Sequence, residues 1–493
     1  MKLKRSPLLS LFVLLALCGQ AFAQGAARQP SPEIRQAAAQ LAGAILVGGR
    51  SMDYLRGLAD GFGGRLTGSP AYERAARWAA EQFRAAGLKD VRLEEWTLEN
   101  GWQRGEARGR LLAPVERVLH VESLGWSPPT PAGGVRGDVV VVGDLTPAGI
   151  KSRAAEIKGR VVMLDLHTIF AEGIWKGFAL LTASQQRLKE AGALALVFPE
   201  NTPNNAHSAL GLNWGSSLSP LPAAEVGMED SQLIMRLLRE QPARAVRLEF
   251  AYDNPTTGPT PAHNVVAEIR GRERPDEWVI VGAHLDSWDF GTGAQDNGSG
   301  SAQVLEAARA IAALPQPPRR SIRFALWGGE EQGLLGSAAY ARAHAAELKS
   351  CVAALNTDNG AGHPKGWKYE GREDVRAALA PLTTLLAGLG GERLSGETTF
   401  DTDHGHFMIA GVPALDLLVD MTHYGEIHHK ASDTLDKVDE HDLAAGAAVV
   451  AVTAYAIAEQ QDPFAPHIDH KAVAEILKKA GLDEFLTSVG VWK

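Results

Sequence analysis

Glu330 and Glu331 stand side by side in a Trp-Gly-Gly-Glu-Glu-Gln-Gly stretch at 327–333, directly after the apolar run 322–327. Two adjacent carboxylates at the end of a buried strand are costly, because like charges must leave water together. A fold accepts that cost where a cation binds or a proton must move. Other ligand-type side chains follow similar apolar runs. His284 and Asp286 follow the run 278–282, and Asp358 follows the run 351–355. Asp296 lies in a Gly-rich turn, Gln-Asp-Asn-Gly-Ser-Gly at 295–300, and His429 precedes a long helical pattern. His284, Asp296, Glu331, Asp358 and His429 form a mixed nitrogen and oxygen set suited to zinc. The set exceeds the needs of one tetrahedral ion, and one bridging carboxylate divides it between two. Paired ions of that kind clamp both oxygens of a hydrolytic displacement, and a remaining Glu serves as general base and then general acid.

Positioning such a set needs an open α/β sheet, in which ligands bind beyond the carboxyl ends of the strands. The runs 278–282, 322–327, 351–355 and 414–419 read as central strands. A helix carries Val304, Leu305, Ala308, Ile311 and Ala312 on one face, and a long helix covers about 442–459. Upstream, helical patterns at 32–47 and 71–86 flank a Gly-rich loop at 63–69, and 91–96 alternates as a strand. Residues 101–254 change character. Short β-rich runs at 138–142, 160–164 and 193–198 sit among many Gly and Pro, with one helix near 183–191 and a polar loop at 199–222. The expected fold is α/β, a mixed central sheet flanked by helices with an inserted β-rich domain.

The chain has 493 residues and a formal charge of −9, which argues against general nucleic-acid binding. Lys2, Lys4 and Arg5, the apolar stretch 8–16 and Ala-Phe-Ala at 21–23 read as a signal peptide cleaved after Ala23. Loss of those three positive charges takes −9 to −12. The mature chain is then exported, periplasmic or extracellular, with Cys351 as its only Cys and no membrane association; no later segment reads as a membrane span. The expected organisation is a signal peptide at 1–23, the start of a catalytic domain at 24–100, the insert at 101–254, the rest of the catalytic domain at 255–465 and a helical extension at 466–493.

Taken together, His-Leu-Asp at 284–286, Asp-Asn-Gly-Ser-Gly at 296–300, Gly-Glu-Glu-Gln-Gly-Leu-Leu-Gly-Ser at 329–337, Asn-Thr-Asp at 356–358 and His-Lys-Ala-Ser-Asp-Thr at 429–434 resemble the co-catalytic dizinc exopeptidases of metallopeptidase clan MH. Secreted aminopeptidases and carboxypeptidase Q-like enzymes belong there. The loop Gly-Gly-Arg-Leu-Thr-Gly-Ser at 63–69 fits the same pattern, and Gly-Arg-Val-Val-Met-Leu at 159–164 makes the insert similar to a protease-associated domain. The resemblance implies two zinc ions per chain, bridged by Asp296. His284 and Asp358 would hold one ion, and Glu331 and His429 the other. Glu330 would be the general base. Asp286 would orient the His284 ring, and Asp433 would act similarly near His429. A cis peptide is implied at Asp296–Asn297. His428 stands where several relatives have a Tyr that stabilises the tetrahedral intermediate, although carboxypeptidase Q-like members also have His-His. Asp403-His-Gly-His406 is expected to open a helix beside the site.

The expected function is hydrolysis of a peptide substrate next to a terminus, as an aminopeptidase or dipeptidase. The family carries a hint of homodimerisation. Two rivals are a single-zinc glutaminyl cyclase-like acyltransferase, opposed by the complete ligand set, and a non-catalytic receptor-like homologue, opposed by retention of Glu330.

Overall fold

The computed structural model describes residues 29–241 and 243–493. The signal-peptide segment and Cys18 lie outside the described residues. Two eight-stranded mixed sheets organise the chain. In the first, the strands run in the order Asp90–Leu98, Thr260–Ile269, Arg320–Trp327, Arg274–His284, Cys351–Asn356, Ala414–Val419, Pro364–Lys368 and Arg393–Ser395. The four from Arg320–Trp327 to Ala414–Val419 are mutually parallel, and the Asp90–Leu98, Thr260–Ile269 and Pro364–Lys368 strands pair antiparallel. The parallel strands are almost continuously buried, as strands covered on both faces must be.

One face is covered by the helices Pro32–Gly48, Ser51–Phe62, Ser299–Ala312 and Glu440–Glu459, which join it in one core with Val279, Val281, Phe324 and Leu355. The helix Glu440–Glu459 is long and apolar enough to cross a membrane by length and composition, but it is packed into this core. Its first turn is held by the Asp439 carboxylate, which accepts from the His441 and Asp442 amides at 2.8 and 3.0 Å. Trp278, Ile280, Trp327, Tyr340 and Phe407 pack on the opposite face, under the helices Leu335–Ala343 and His404–Ile409.

The strands Asp90–Leu98 and Thr260–Ile269 are hairpin partners, with Leu98 opposite Thr260. Most of the chain between them builds the second sheet, in the order Arg117–Leu119, Ala107–Ala113, Arg247–Tyr252, Val135–Val142, Val161–Leu164, Ala195–Pro199, Ala223–Val226 and Val121–Ser123. It is less purely β than the sequence suggests. The helix Ile174–Glu190 starts nine residues before the expected position, and Met228–Glu240 is a further helix. Trp102 stacks on Trp126 with centroids 5.6 Å apart, and with Leu66, Ala209 and Trp288 they form an apolar joint between the sheets. Beside this joint, the Arg104 guanidinium grips Asp289 with two bonds of 2.9 Å.

Candidate metal centre

The parallel strands end at one edge, and their exits carry the ligand-type residues. His284 is the last residue of its strand, level with Trp327 on the neighbour, and Glu330 follows three residues later. Asp358 lies two residues past Asn356. Asp296 sits in the turn that opens the helix Ser299–Ala312, with a cis peptide between Asp296 and Asn297. His428 and His429 follow the short helix Tyr424–Ile427.

These side chains converge. His284 Nε2 is 3.0 Å from Asp358 Oδ1, 3.2 Å from Asp296 Oδ1 and 3.8 Å from Glu330 Oε2. His429 Nε2 is 3.0 Å from Glu331 Oε2 and 3.3 Å from Asp296 Oδ2. Asp296 therefore stands between two half-sites, one oxygen towards each. His428 Nε2 also lies 3.3 Å from Asp296 Oδ2, and its ring stacks on His429 with centroids 3.7 Å apart. With its side chain 44% exposed, His428 forms the solvent edge of the cluster.

Supporting contacts fix these orientations. His284 Nδ1 is 3.0 Å from the Asp286 main-chain carbonyl, which can only accept. A ring proton is thus on Nδ1, and Nε2 is the nitrogen turned to the carboxylates, where it could serve as a metal ligand. Asp286 positions the ring chiefly through its backbone; its carboxylate is farther, at 3.4 Å. Asp433 departs from its expected place near His429. Its two oxygens accept from the amides of Gln295 and Asp296, at 2.7 and 3.1 Å, so it holds the turn that carries Asp296. His429 has a left-handed backbone (φ 62°), and its carbonyl accepts from the Ala209 amide at 2.8 Å, a contact from the loop of the second sheet.

The electrostatics call for cations. Burial, reinforced by neighbouring carboxylates, raises the carboxyl groups of Glu330, Glu331 and Asp358 above the usual range. Among the described residues, no Lys or Arg forms an ion pair with Asp296, Glu330, Glu331 or Asp358; their ion-pair partners are imidazoles. Asp296 Oδ2 is buried without a hydrogen-bond donor. Carboxylate oxygens plus inward-facing imidazole nitrogens are a donor set that fits zinc.

Three further residues support the site, and one of them, Asp403, lies where it is expected, at the opening of a helix. Arg65 is fully buried and donates from its guanidinium to the carbonyls of Gly63, Leu285, Thr292 and Gly293 at 2.7–2.9 Å. Tyr424 lies with its ring 5.0 Å from that of His428, and burial with the nearby carboxylates holds its phenol well above the usual range, so it stays a donor. Asp403 stands at the start of the helix His404–Ile409 beside the site, fully buried and making no side-chain bond to that helix, and burial pushes its carboxyl up to about 8.

His404 and His406 turn away from the cluster. His404 lies 2.6 Å from Thr402 Oγ1 and 3.3 Å from Glu370 Oε1, and the His406 ring stands edge-on to Phe400. Burial opposes charge on His404, but Glu370 and Asp416 overcome it and raise the imidazole from 6.5 to about 9. A raised base stabilises the fold fully below its unfolded pKa and ceases to do so above its folded one. Unfolding free energy is therefore expected to fall by on the order of 1 kcal/mol per pH unit between the two values. Urea titrations across that range check this, and Glu370→Gln is expected to flatten the slope.

The profile of Peptidase family M28 matches residues 264–454, the segment that supplies every converging carboxylate and imidazole. Carboxypeptidase Q of Xenopus laevis is 30% identical over 418 residues, spanning 84% of this chain and 87% of that protein. The chain belongs to peptidase family M28. It is accordingly a metallopeptidase with a mixed α/β fold. The M28 peptidase precursor from Shewanella amazonensis SB2B superposes with a TM-score of 0.77 at 28% identity, covering 89% of this chain and 99% of its own. BSAP, a zinc aminopeptidase from Bacillus subtilis, shares the M28 fold at a TM-score of 0.64 and 20% identity, covering 85% and 98%.

Proposed function

We propose that this chain is a dizinc exopeptidase that removes residues from the amino end of peptides, as an aminopeptidase or dipeptidase. The observation that carries the reading is the position of Asp296. Its two oxygens face His284 with Asp358 on one side and His429 with Glu331 on the other. Those residues would hold two ions with Asp296 shared. Bound zinc supplies Lewis acidity for the scissile carbonyl and acidifies water. Glu330 stands back from the ligand atoms, so it is free to accept a proton from water and return it to the leaving amine. Asp286 and Asp433 keep the His284 ring and the Asp296 turn in place. Tyr424 and His428 line the cleft as polar groups for the reacting carbonyl.

The amino-end preference rests on charge. Beyond the cluster, Glu200 and Asp401 line the same cleft. Among the described residues, Lys430 is the only Lys or Arg there, and its Nζ already donates to the Gly425 carbonyl at 2.8 Å. Such a cleft suits a substrate ammonium better than a carboxylate. As part of the same proposal, residues 1–23 direct export, residues 101–254 form a protease-associated-type insert that walls the cleft, and residues 466–493 form a helical extension.

Two measurements test this reading. Elemental analysis is expected to give about two zinc per chain, as paired-ion sites require; one zinc would favour a single-ion acyltransferase. Aminoacyl amides are expected to be cleaved and their N-blocked forms refused. A requirement for both free termini would assign dipeptidase activity, and cleavage of N-blocked peptides from the carboxyl end would overturn the preference.

A further inference from the structure

The cluster lies in a cavity of about 750 Å³ between the two sheets, large enough for a short peptide. The cavity has two unlike walls. One is the carboxylate and imidazole cluster. The other is aromatic and comes from segments far apart in sequence: Trp175 and Phe178 on the helix Ile174–Glu190, Trp214 on the loop of the second sheet, and Phe485 on the helix Asp483–Ser488. The Trp175 and Phe485 rings are 4.7 Å apart, Trp214 meets Phe485 edge-on at 5.3 Å, and Trp175 meets Trp214 edge-on at 6.5 Å. Such an arrangement holds aromatic rings in fixed register.

This wall is tied directly to the reacting carboxylates. The Gly215 amide donates to the Gln332 carbonyl, one residue past Glu331. Gly333 has φ 112°, and a Cβ there would come within 3.0 Å of the Trp214 indole. The loop of Glu330 and Glu331 and the aromatic wall therefore share a backbone contact, and the rings line the same cavity as the cluster. Trp175, Phe178 and Trp214 are only half-buried, and Ile174 at the rim is 59% exposed. That leaves apolar surface facing the same space as the cluster.

We propose that Trp175, Phe178, Trp214 and Phe485 form a subsite for a bulky apolar side chain of the peptide substrate, so that the insert and the C-terminal helices together select what is cut. This rests on the exopeptidase reading above. Covering half-buried rings with an apolar side chain adds affinity in proportion to the area removed from water.

The test compares Ala-Ala, Phe-Ala and Ala-Phe, as dipeptides and dipeptide amides, in wild type, Trp175→Ala and the rim variant Ile174→Ser. Wild type is expected to favour Phe at one position by roughly tenfold or more in kcat/KM, the scale of apolar pocket discrimination. Trp175→Ala should erase most of that preference through KM, lowering kcat/KM for the Phe substrates far more than for Ala-Ala. Ile174→Ser, which is too exposed to threaten the fold, should lower it partially. Equal losses on all substrates, or no wild-type preference, would overturn the subsite. Should wild type cleave none of them, the exopeptidase reading fails instead. The subsite is then judged by tryptophan fluorescence titration with phenylalaninamide against alaninamide. Tighter phenylalaninamide binding, weakened by Trp175→Ala, supports it; equal binding refutes it.

Discussion

Replacement of Glu330 by Gln is expected to lower kcat by about 10²–10⁴-fold while zinc content and the unfolding midpoint stay at wild-type values. The separation of effects follows from geometry. Glu330 Oε2 is 3.8 Å from His284 Nε2, whereas the ligand-type oxygens of Asp296 and Asp358 approach within 3.2 and 3.0 Å. Its neighbour is placed differently. Glu331 accepts from the Trp288 amide at 3.2 Å and reaches His429 at 3.0 Å, with its side chain only 2% exposed. An amide in place of the Glu330 carboxylate would keep the shape and lose the proton acceptor. Glu331→Gln should instead lose metal along with activity. Steady-state kinetics paired with elemental analysis separates the two, and a Glu330→Gln enzyme with near-normal turnover would remove Glu330 from its role.

Arg65→Ala is expected to cost about 3–5 kcal/mol of unfolding free energy, the scale of a broken buried charge network. The guanidinium bonds four backbone carbonyls, and three of them, from Leu285, Thr292 and Gly293, flank His284 and Asp296. Burial brings its pKa down to about 10, and the carboxylates of Asp433 and Asp286 help keep it charged. Removing it takes the donor from the carbonyls of Gly63, Leu285 and Thr292, each worth about 1–3 kcal/mol where buried, while the Gly293 carbonyl keeps the Gly298 amide. Arg65→Lys should recover only part of the loss, because one ammonium cannot span the planar fork. Urea unfolding of the chelated protein measures the stability term free of metal linkage. An Arg65→Ala loss below about 1 kcal/mol, less than one unsatisfied carbonyl, would mean that the loop is held from elsewhere.

The parallel strands were legible because burial on both faces makes them continuous apolar runs, and their exits were legible because charge follows such runs abruptly. The helix Ser51–Phe62 was not, since no side chain caps it and Gly57 and Gly61 dilute its pattern. The strands Pro364–Lys368 and Arg393–Ser395 escaped for a different reason. They are short, and Lys368 looks exposed until Asp416 is found 3.3 Å away. Among site residues, the ones that touch the cluster announced themselves by type and spacing. Arg65 and Tyr424 act through tertiary proximity, which a sequence does not display, whereas Asp403 was legible as the start of a helix beside the site. Asp433 was legible only in part, because the turn its carboxylate holds lies more than a hundred residues away in sequence.

The pairing of Leu98 with Thr260 has a consequence for how the molecule assembles. Closing a loop of the length of residues 99–259 as unstructured chain would cost roughly 3 kcal/mol more than closing a tight turn. An insert that has already folded delivers its two ends side by side and removes most of that penalty. The edge hairpin of the first sheet can then zip as a local event. The second sheet thus serves the first twice, as a wall of its cleft and as an internal chaperone for its edge.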